Sequence, residues 1–291
     1  MINRARWTGV DAAWLAALVV LGVAAMWSIW VEVFRTGLGS EEDSHILMAV
    51  PVAVWMVWIR RGRLRSCPPA RSYWGLLLIA IGVAMERVGV MTAVEVARHL
   101  GAILVLLGGV TAVVGPAVVM VFLPAVVSLL FLLPVPGRVR QEIAVPLQEI
   151  SAMVSEFVLN LFGFGVERLG NILTINGEQV AVAEACNGMR MVSALAIISF
   201  AFVFSVPMRH PVRLLLLLAS PLVALLVNIV RLIPTVLFYG YMQKPTADLF
   251  HDLSGWAVLG LALVLLWGML SLMRWMEIPI DPYPVARRER A

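Results

Sequence analysis

Runs of about 20 apolar residues recur along this 291-residue chain, and no other feature constrains its fold so strongly. A run of that length crosses the roughly 30 Å hydrocarbon core of a bilayer as an α-helix. Inside lipid every backbone N–H and C=O must be satisfied within its own segment, which favours helices over isolated strands. The runs lie near 12–34, 45–60, 73–90, 93–114, 116–135, 186–206, 213–239 and 251–274. Hydrophobic residues make up 61% of the chain and charged residues 14%, where a soluble domain carries about 25% charge. The expectation is an all-α integral membrane protein, a single polytopic domain over residues 1–291 built as a bundle of about eight transmembrane helices.

Basic residues orient the bundle, because Lys and Arg collect in cytoplasmic loops. Arg4 and Arg6 precede the first run, which is too long for the apolar core of a signal peptide and reads as an uncleaved span. The next loop carries Glu41, Glu42 and Asp43 and faces out. Arg60, Arg61, Arg63, Arg65 and Arg71 then face in, as do Arg209, Arg213 and the tail with Arg287, Arg288 and Arg290. Both termini are thus expected in the cytoplasm of a multi-pass protein of the cytoplasmic (inner) membrane.

Residues 137–184 interrupt the pattern and are expected outside. Ile143, Leu147, Ile150, Val154, Phe157 and Leu161 recur every three or four positions, which predicts an amphipathic helix at the outer interface. Asn176-Gly177, flanked by Asn171–Ile175 and Glu178–Ala183, predicts a short β-hairpin with a two-residue turn.

The net charge of +4 is explained by topology rather than by an acidic partner, and no basic stripe with interleaved aromatics points to nucleic acid. Two cysteines, Cys67 and Cys186, are too few for a disulfide framework or a thiolate metal cluster, and neither metal nor cofactor is expected.

Three reactive side chains lie in the C-terminal half, each near the outer end of an apolar run. Cys186 opens a span in Glu184-Ala185-Cys186-Asn187-Gly188-Met189-Arg190. Free N–H groups in a helix's first turn stabilise a thiolate, and Arg190, four residues on, adds positive charge on the same face. Glu184 opposes this if it faces the sulfur. A buried, inert thiol is the bland alternative. Arg231 lies inside its run with Asn228 three residues earlier on the same face, which suggests a polar pocket; snorkelling to the interface is the alternative. His251 begins the last run, and an imidazole's ordinary pKa of about 6.5 suits proton transfer. Asp252 would point about 100° away on a helix, so Asp248 is the better candidate to orient the ring. An interfacial histidine without chemistry is the alternative here, and His45, also outside, is a rival base. His99 is assigned to a structural ion-pair cluster with Glu86, Arg87, Glu95 and Arg98.

The stretch from Glu184 to Arg190 is similar to the E-A-C-[SN]-G-x-R signature of the exosortase/archaeosortase family of membrane-embedded cysteine transpeptidases. Asn228-Ile229-Val230-Arg231 resembles that family's N-I-x-R motif, and His251 falls where the exosortase branch places its histidine. Ser44-His45, Pro146-Leu147-Gln148 and Gly170-Asn171 add to the resemblance, which spans about residues 40–260. The resemblance implies cleavage of secreted proteins just before a C-terminal sorting segment made of a Pro-Glu-Pro-type motif, a transmembrane helix and a basic end. It makes Cys186 the nucleophile, Arg231 the oxyanion holder and His251 the acid and base, with the last two roles exchangeable. The acceptor would be water, a membrane lipid or a glycan. Hydrolysis without transfer, a transporter lined by Arg231 and the Glu86/Arg87/Glu95/Arg98 cluster, and a non-catalytic scaffold are the competing readings.

Overall fold

A computed structural model describes residues 7–39, 43–182 and 188–276, apart from the side chains of residues 65, 66, 188–191 and 256. The chain divides into two compact units, Met1–Pro136 and Gly137–Ala291.

The first unit contains α1 (Gly9–Ala25), α2 (Trp27–Gly39), α3 (Ile46–Arg60), α4 (Trp74–Thr92), α5 (Glu95–Val114), α6 (Pro116–Val121) and α7 (Leu123–Ser128), with short 3₁₀ turns at Arg61–Ser66 and Leu129–Leu132. Its closest helix pair is α4 against α5. A Cβ on Gly82 would sit 2.7 Å from the carbonyl oxygen of Gly101, and one on Gly101 would sit 2.6 Å from that of Gly82. Small residues permit this contact, the usual means of helix association where burial from water supplies no drive. The ion cluster on α5 has a partner outside the expected set. Arg98 grips Glu32 of α2 with both terminal nitrogens, at 3.1 and 2.8 Å, and His99 Nε2 lies 3.6 Å from the same carboxylate. Glu86 instead pairs with Arg87, at 3.4 Å.

The second unit contains α8 (Gly137–Leu161), a meander of β1 (Val166–Leu169), β2 (Ile172–Ile175) and β3 (Glu178–Ala181), then α9 (Gly188–Ser205), α10 (His210–Tyr241) and α11 (Lys244–Trp275). The predicted hairpin is β2–β3, paired from Ile175↔Glu178 to Ile172↔Ala181. Asn176 and Gly177 both take positive φ, 50° and 82°, as a type I′ turn requires. β1 is a third strand that the hairpin signal did not reveal. It is tied to the end of α8 by Asn160, whose amide donates to the Val166 carbonyl at 3.0 Å and accepts the Val166 N–H at 2.9 Å.

Leu173, Ile175 and Val180 of the sheet pack with Ala152 and Leu159 of α8 and Leu232 and Val236 of α10. Further along the bundle, Leu195, Val227, Val258 and Ala262 join α9, α10 and α11. Val203, Met208, Val212, Leu216, Leu270 and Met273 close the end remote from the sheet.

Four described helices, α4, α5, α10 and α11, are long and apolar enough to span a membrane, and six spans result if each of two bent pairs counts as one. This is fewer than the about eight expected from run length alone. The first run bends by 76° between α1 and α2. The second makes only the 15-residue α3. The fifth is divided at Pro116 and Pro124, each near the N-terminus of a six-residue helix, where a missing N–H does least harm. The start of the sixth lies partly outside the described residues.

The amphipathic helix predicted in the first part of 137–184 is α8, and small residues rather than its apolar stripe face the protein. Ala144, Ser151, Ala152, Ser155 and Leu159 face inward, while Phe157 and Leu161 are 67% and 71% exposed. Small residues let α8 approach its neighbours closely, which leaves the large apolar side chains on the outside.

Candidate active site

α10 has 32 residues, so it is about 48 Å long and overshoots a hydrocarbon core of about 30 Å. Arg231 lies ten residues, or about 15 Å, before its end at Tyr241, on the side of the bundle that carries the sheet. Its side chain points into the bundle and is 3% exposed, so it does not snorkel. Burial of a guanidinium demands acceptors, and α11 provides them. Arg231 Nε donates to Ser254 Oγ at 3.0 Å, and Nη2 donates to the main-chain carbonyl of His251 at 3.1 Å. The Ser254 hydroxyl donates to the same carbonyl at 2.9 Å, so the three groups lock together.

α11 begins at Lys244, seven residues before His251, which places His251 and Ser254 one turn apart on one helical face. The His251 ring is mostly buried, with 16% of its side chain exposed. Its Nδ1 lies 3.3 Å from Asp252 Oδ1. A carboxylate there favours the tautomer protonated at Nδ1 and leaves Nε2 with a free lone pair. Nε2 is buried with no hydrogen-bond partner among the described residues. Asp248, expected to orient this ring, instead accepts a hydrogen bond from the Tyr239 hydroxyl at 2.9 Å. The helix does start early enough for Asp248 to share the face of His251. Tyr239, on the facing end of α10, takes up the carboxylate, and a 4.2 Å stack of Phe238 on Phe250 closes the same corner.

Asn228, one turn from Arg231, donates from Nδ2 to Ser151 Oγ of α8 at 3.3 Å, and its Oδ1 is buried without a partner among the described residues. Asn228 and Ser151 border a narrow groove in which Gln148, Leu195, Ala224 and Ala262 also stand, holding about 30 Å³. Gln148 accepts from the Asn171 side chain at 3.1 Å, and the Asn171 carbonyl accepts the Val182 N–H at 2.9 Å. The segment that leads to Cys186 is therefore anchored to α8 four residues before the cysteine.

Glu184, Cys186 and Asn187 lie outside the described residues, and Gly188 and Arg190 are described only as backbone in the first turn of α9. His45, the rival base, is buried immediately before α3 and belongs to the first unit. Sequence reasoning missed Ser254, Ser151 and Tyr239. Ser254 alone carried a signal, three residues beyond His251 and hence on its face.

A family model for transmembrane exosortases matches residues 30–268, well over half of the chain. No curated protein and no solved structure matches.

Proposed function

Because the chain belongs to the transmembrane exosortase family, whose members are membrane-embedded cysteine-type sorting peptidases, we propose that it removes the C-terminal sorting segment of secreted proteins through a thioester on Cys186. The observation that carries this reading is the buried Arg231, clamped to Ser254 and to the His251 main chain, beside an imidazole whose Nε2 has no partner among the described residues.

The substrate's membrane helix stays in the bilayer and presents its preceding segment, of Pro-Glu-Pro type, at the outer boundary. His251 takes the Cys186 proton, and the sulfur attacks the scissile carbonyl carbon. The oxygen acquires negative charge, which Arg231 stabilises from a site poor in water, where one charged donor is worth far more than in solution. The C–N bond then breaks as His251 returns the proton to the departing amine, and the helix with its basic end leaves. Water or the hydroxyl or amine of a lipid or glycan attacks the thioester, giving its proton to His251 and freeing Cys186.

The basic residues support an active site on the outer face. Arg209, Arg213 and Arg274 lie at the end of the α10–α11 pair remote from the sheet, and basic ends stay in the cytoplasm. Arg231 and His251 are on the opposite, sheet-bearing half.

The test is a reporter protein carrying a Pro-Glu-Pro-type motif, membrane helix and basic end, co-expressed with wild type, Cys186→Ala, Arg231→Ala and His251→Ala enzymes. Wild type alone should remove the tail, and the mass of the new C-terminus distinguishes transfer from hydrolysis. Processing by Cys186→Ala at the wild-type rate would refute the thioester mechanism.

A further inference from the structure

Among the described residues, the sheet ends in an unpaired edge beside the site. Strand order is β1–β2–β3, and β3 has a described neighbour on one side only. In an antiparallel ladder alternate residues direct both backbone groups to the same neighbour. The two-residue turn makes Ile175 and Glu178 a hydrogen-bonded pair, so Glu178 and Val180 face β2, and Val182 continues the ladder through Asn171. Gln179 and Ala181 direct their N–H and C=O groups outward, and no described residue pairs with them.

That edge borders open space. A cavity of about 370 Å³ lies between β3 and the α10–α11 corner, with Tyr239, Lys244 and Asp248 on its far wall. Lys244 is the chain's single lysine, and it makes no ion pair among the described residues. Asp248 is one helical turn from His251, and β3 ends five residues before Cys186. Along α10, Tyr239 lies eight residues to one side of Arg231 and Asn228 lies three to the other. Arg231 thus stands between a polar cavity with a free strand edge and the narrower groove bordered by Asn228, Leu195, Ala224 and Ala262.

Resting on the sorting-peptidase reading, we propose that the free edge of β3 binds the extended segment of the substrate just before its membrane helix, as an added strand. The main-chain groups of Gln179 and Ala181 pair with alternate substrate residues, and Lys244 receives an acidic side chain. Strand addition of this kind takes affinity from the backbone and leaves selectivity to side-chain pockets. The segment then passes Arg231 and His251, and the apolar helix continues along the groove side of the bundle. Tyr239 is about 12 Å along the helix from Arg231, which an extended chain covers in about four residues. The residues paired with β3 therefore lie about four positions before the scissile bond.

The test uses the full-length protein in liposomes and a synthetic tail peptide with a Pro-Glu-Pro-type motif and membrane helix. Gln179→Pro and Ala181→Pro each delete an outward N–H and keep every β2–β3 bond, since proline is tolerated on a strand edge where its nitrogen faces away from the ladder. Each should lower kcat/KM roughly tenfold, the scale of one or two lost hydrogen bonds, mainly through KM. Lys244→Glu should weaken processing of the acidic peptide and improve that of a peptide with lysine at the acidic position. In the second measurement, a benzophenone group four residues before the scissile bond should crosslink to residues 178–181 of the Cys186→Ala protein, even if a proline variant fails to accumulate. Unchanged kcat/KM in both proline variants, or crosslinks solely elsewhere, would overturn the docking proposal and leave the peptidase reading standing. If wild type and Cys186→Ala process the peptide equally, the peptidase reading fails and the docking proposal fails with it.

Discussion

The Arg231 guanidinium is bound to the main-chain carbonyl of His251, at 3.1 Å, and not to the imidazole. The two residues are therefore coupled through the backbone of α11, and either side chain can be altered while the anchor of the other is kept.

His251→Ala should accordingly abolish proton transfer and leave Arg231 in place. The rate should fall about 100- to 10,000-fold, the range for loss of a general acid–base group. Added imidazole should restore part of it. A rate within threefold of wild type would remove His251 from the mechanism.

Ser254 acts through Arg231, so its removal should cost less than removal of the arginine. Ser254→Ala takes away the acceptor of Nε and should lower kcat about tenfold with KM little changed, in keeping with one hydrogen bond to a charged group. Ser254→Thr should recover most of the loss. Arg231→Lys keeps the charge but cannot contact the Ser254 hydroxyl and the His251 carbonyl in the same planar geometry, and kcat should drop at least ~100-fold. Steady-state kinetics on a tail peptide separates these cases, and equal effects of Ser254→Ala and Arg231→Lys would contradict a positioning role for Ser254.

Gly240 is where the β2–β3 turn meets α10. Asn176 donates to the Gly240 carbonyl at 3.1 Å, and a Cβ on Gly240 would lie 2.6 Å from Ile175 Cγ2, itself fully buried. Gly240→Val should force the turn away from the helix and destabilise the unit by about 1–3 kcal/mol, as overpacking does. Proteolysis of the purified protein in detergent should show cleavage near residues 176–177 appearing earlier than in wild type. Wild-type resistance would mean that the turn accommodates the side chain.

Within the first unit, Gly82→Val should separate α4 from α5, since the added atoms would meet the Gly101 carbonyl and the Val105 backbone. The thermal unfolding midpoint should fall by several degrees, corresponding to about 1–3 kcal/mol. Gly9→Ala, where nothing lies within 4 Å, serves as the comparison and should leave the midpoint unchanged.

Local pattern determined a good deal by itself. The long apolar runs specified membrane helices because lipid leaves a polar backbone few alternatives. Asn176-Gly177 specified the hairpin because both turn positions need positive φ, and the matched positions of Cys186, Arg231 and His251 pointed to one family of peptidases. Other features depend on which helices pack together, and spacing along one helix cannot show that. The apolar stripe of α8 did not show which side meets the other helices, where close packing selected Ala144, Ser151 and Ala152 over larger neighbours. Asp248 shares a helical face with His251, yet Tyr239 of another helix holds it. Glu32 joined Arg98 across 66 residues of sequence. Only the tertiary structure decided that Arg231 turns inward, because a buried guanidinium is stable where a second helix supplies acceptors, here Ser254 and the His251 carbonyl.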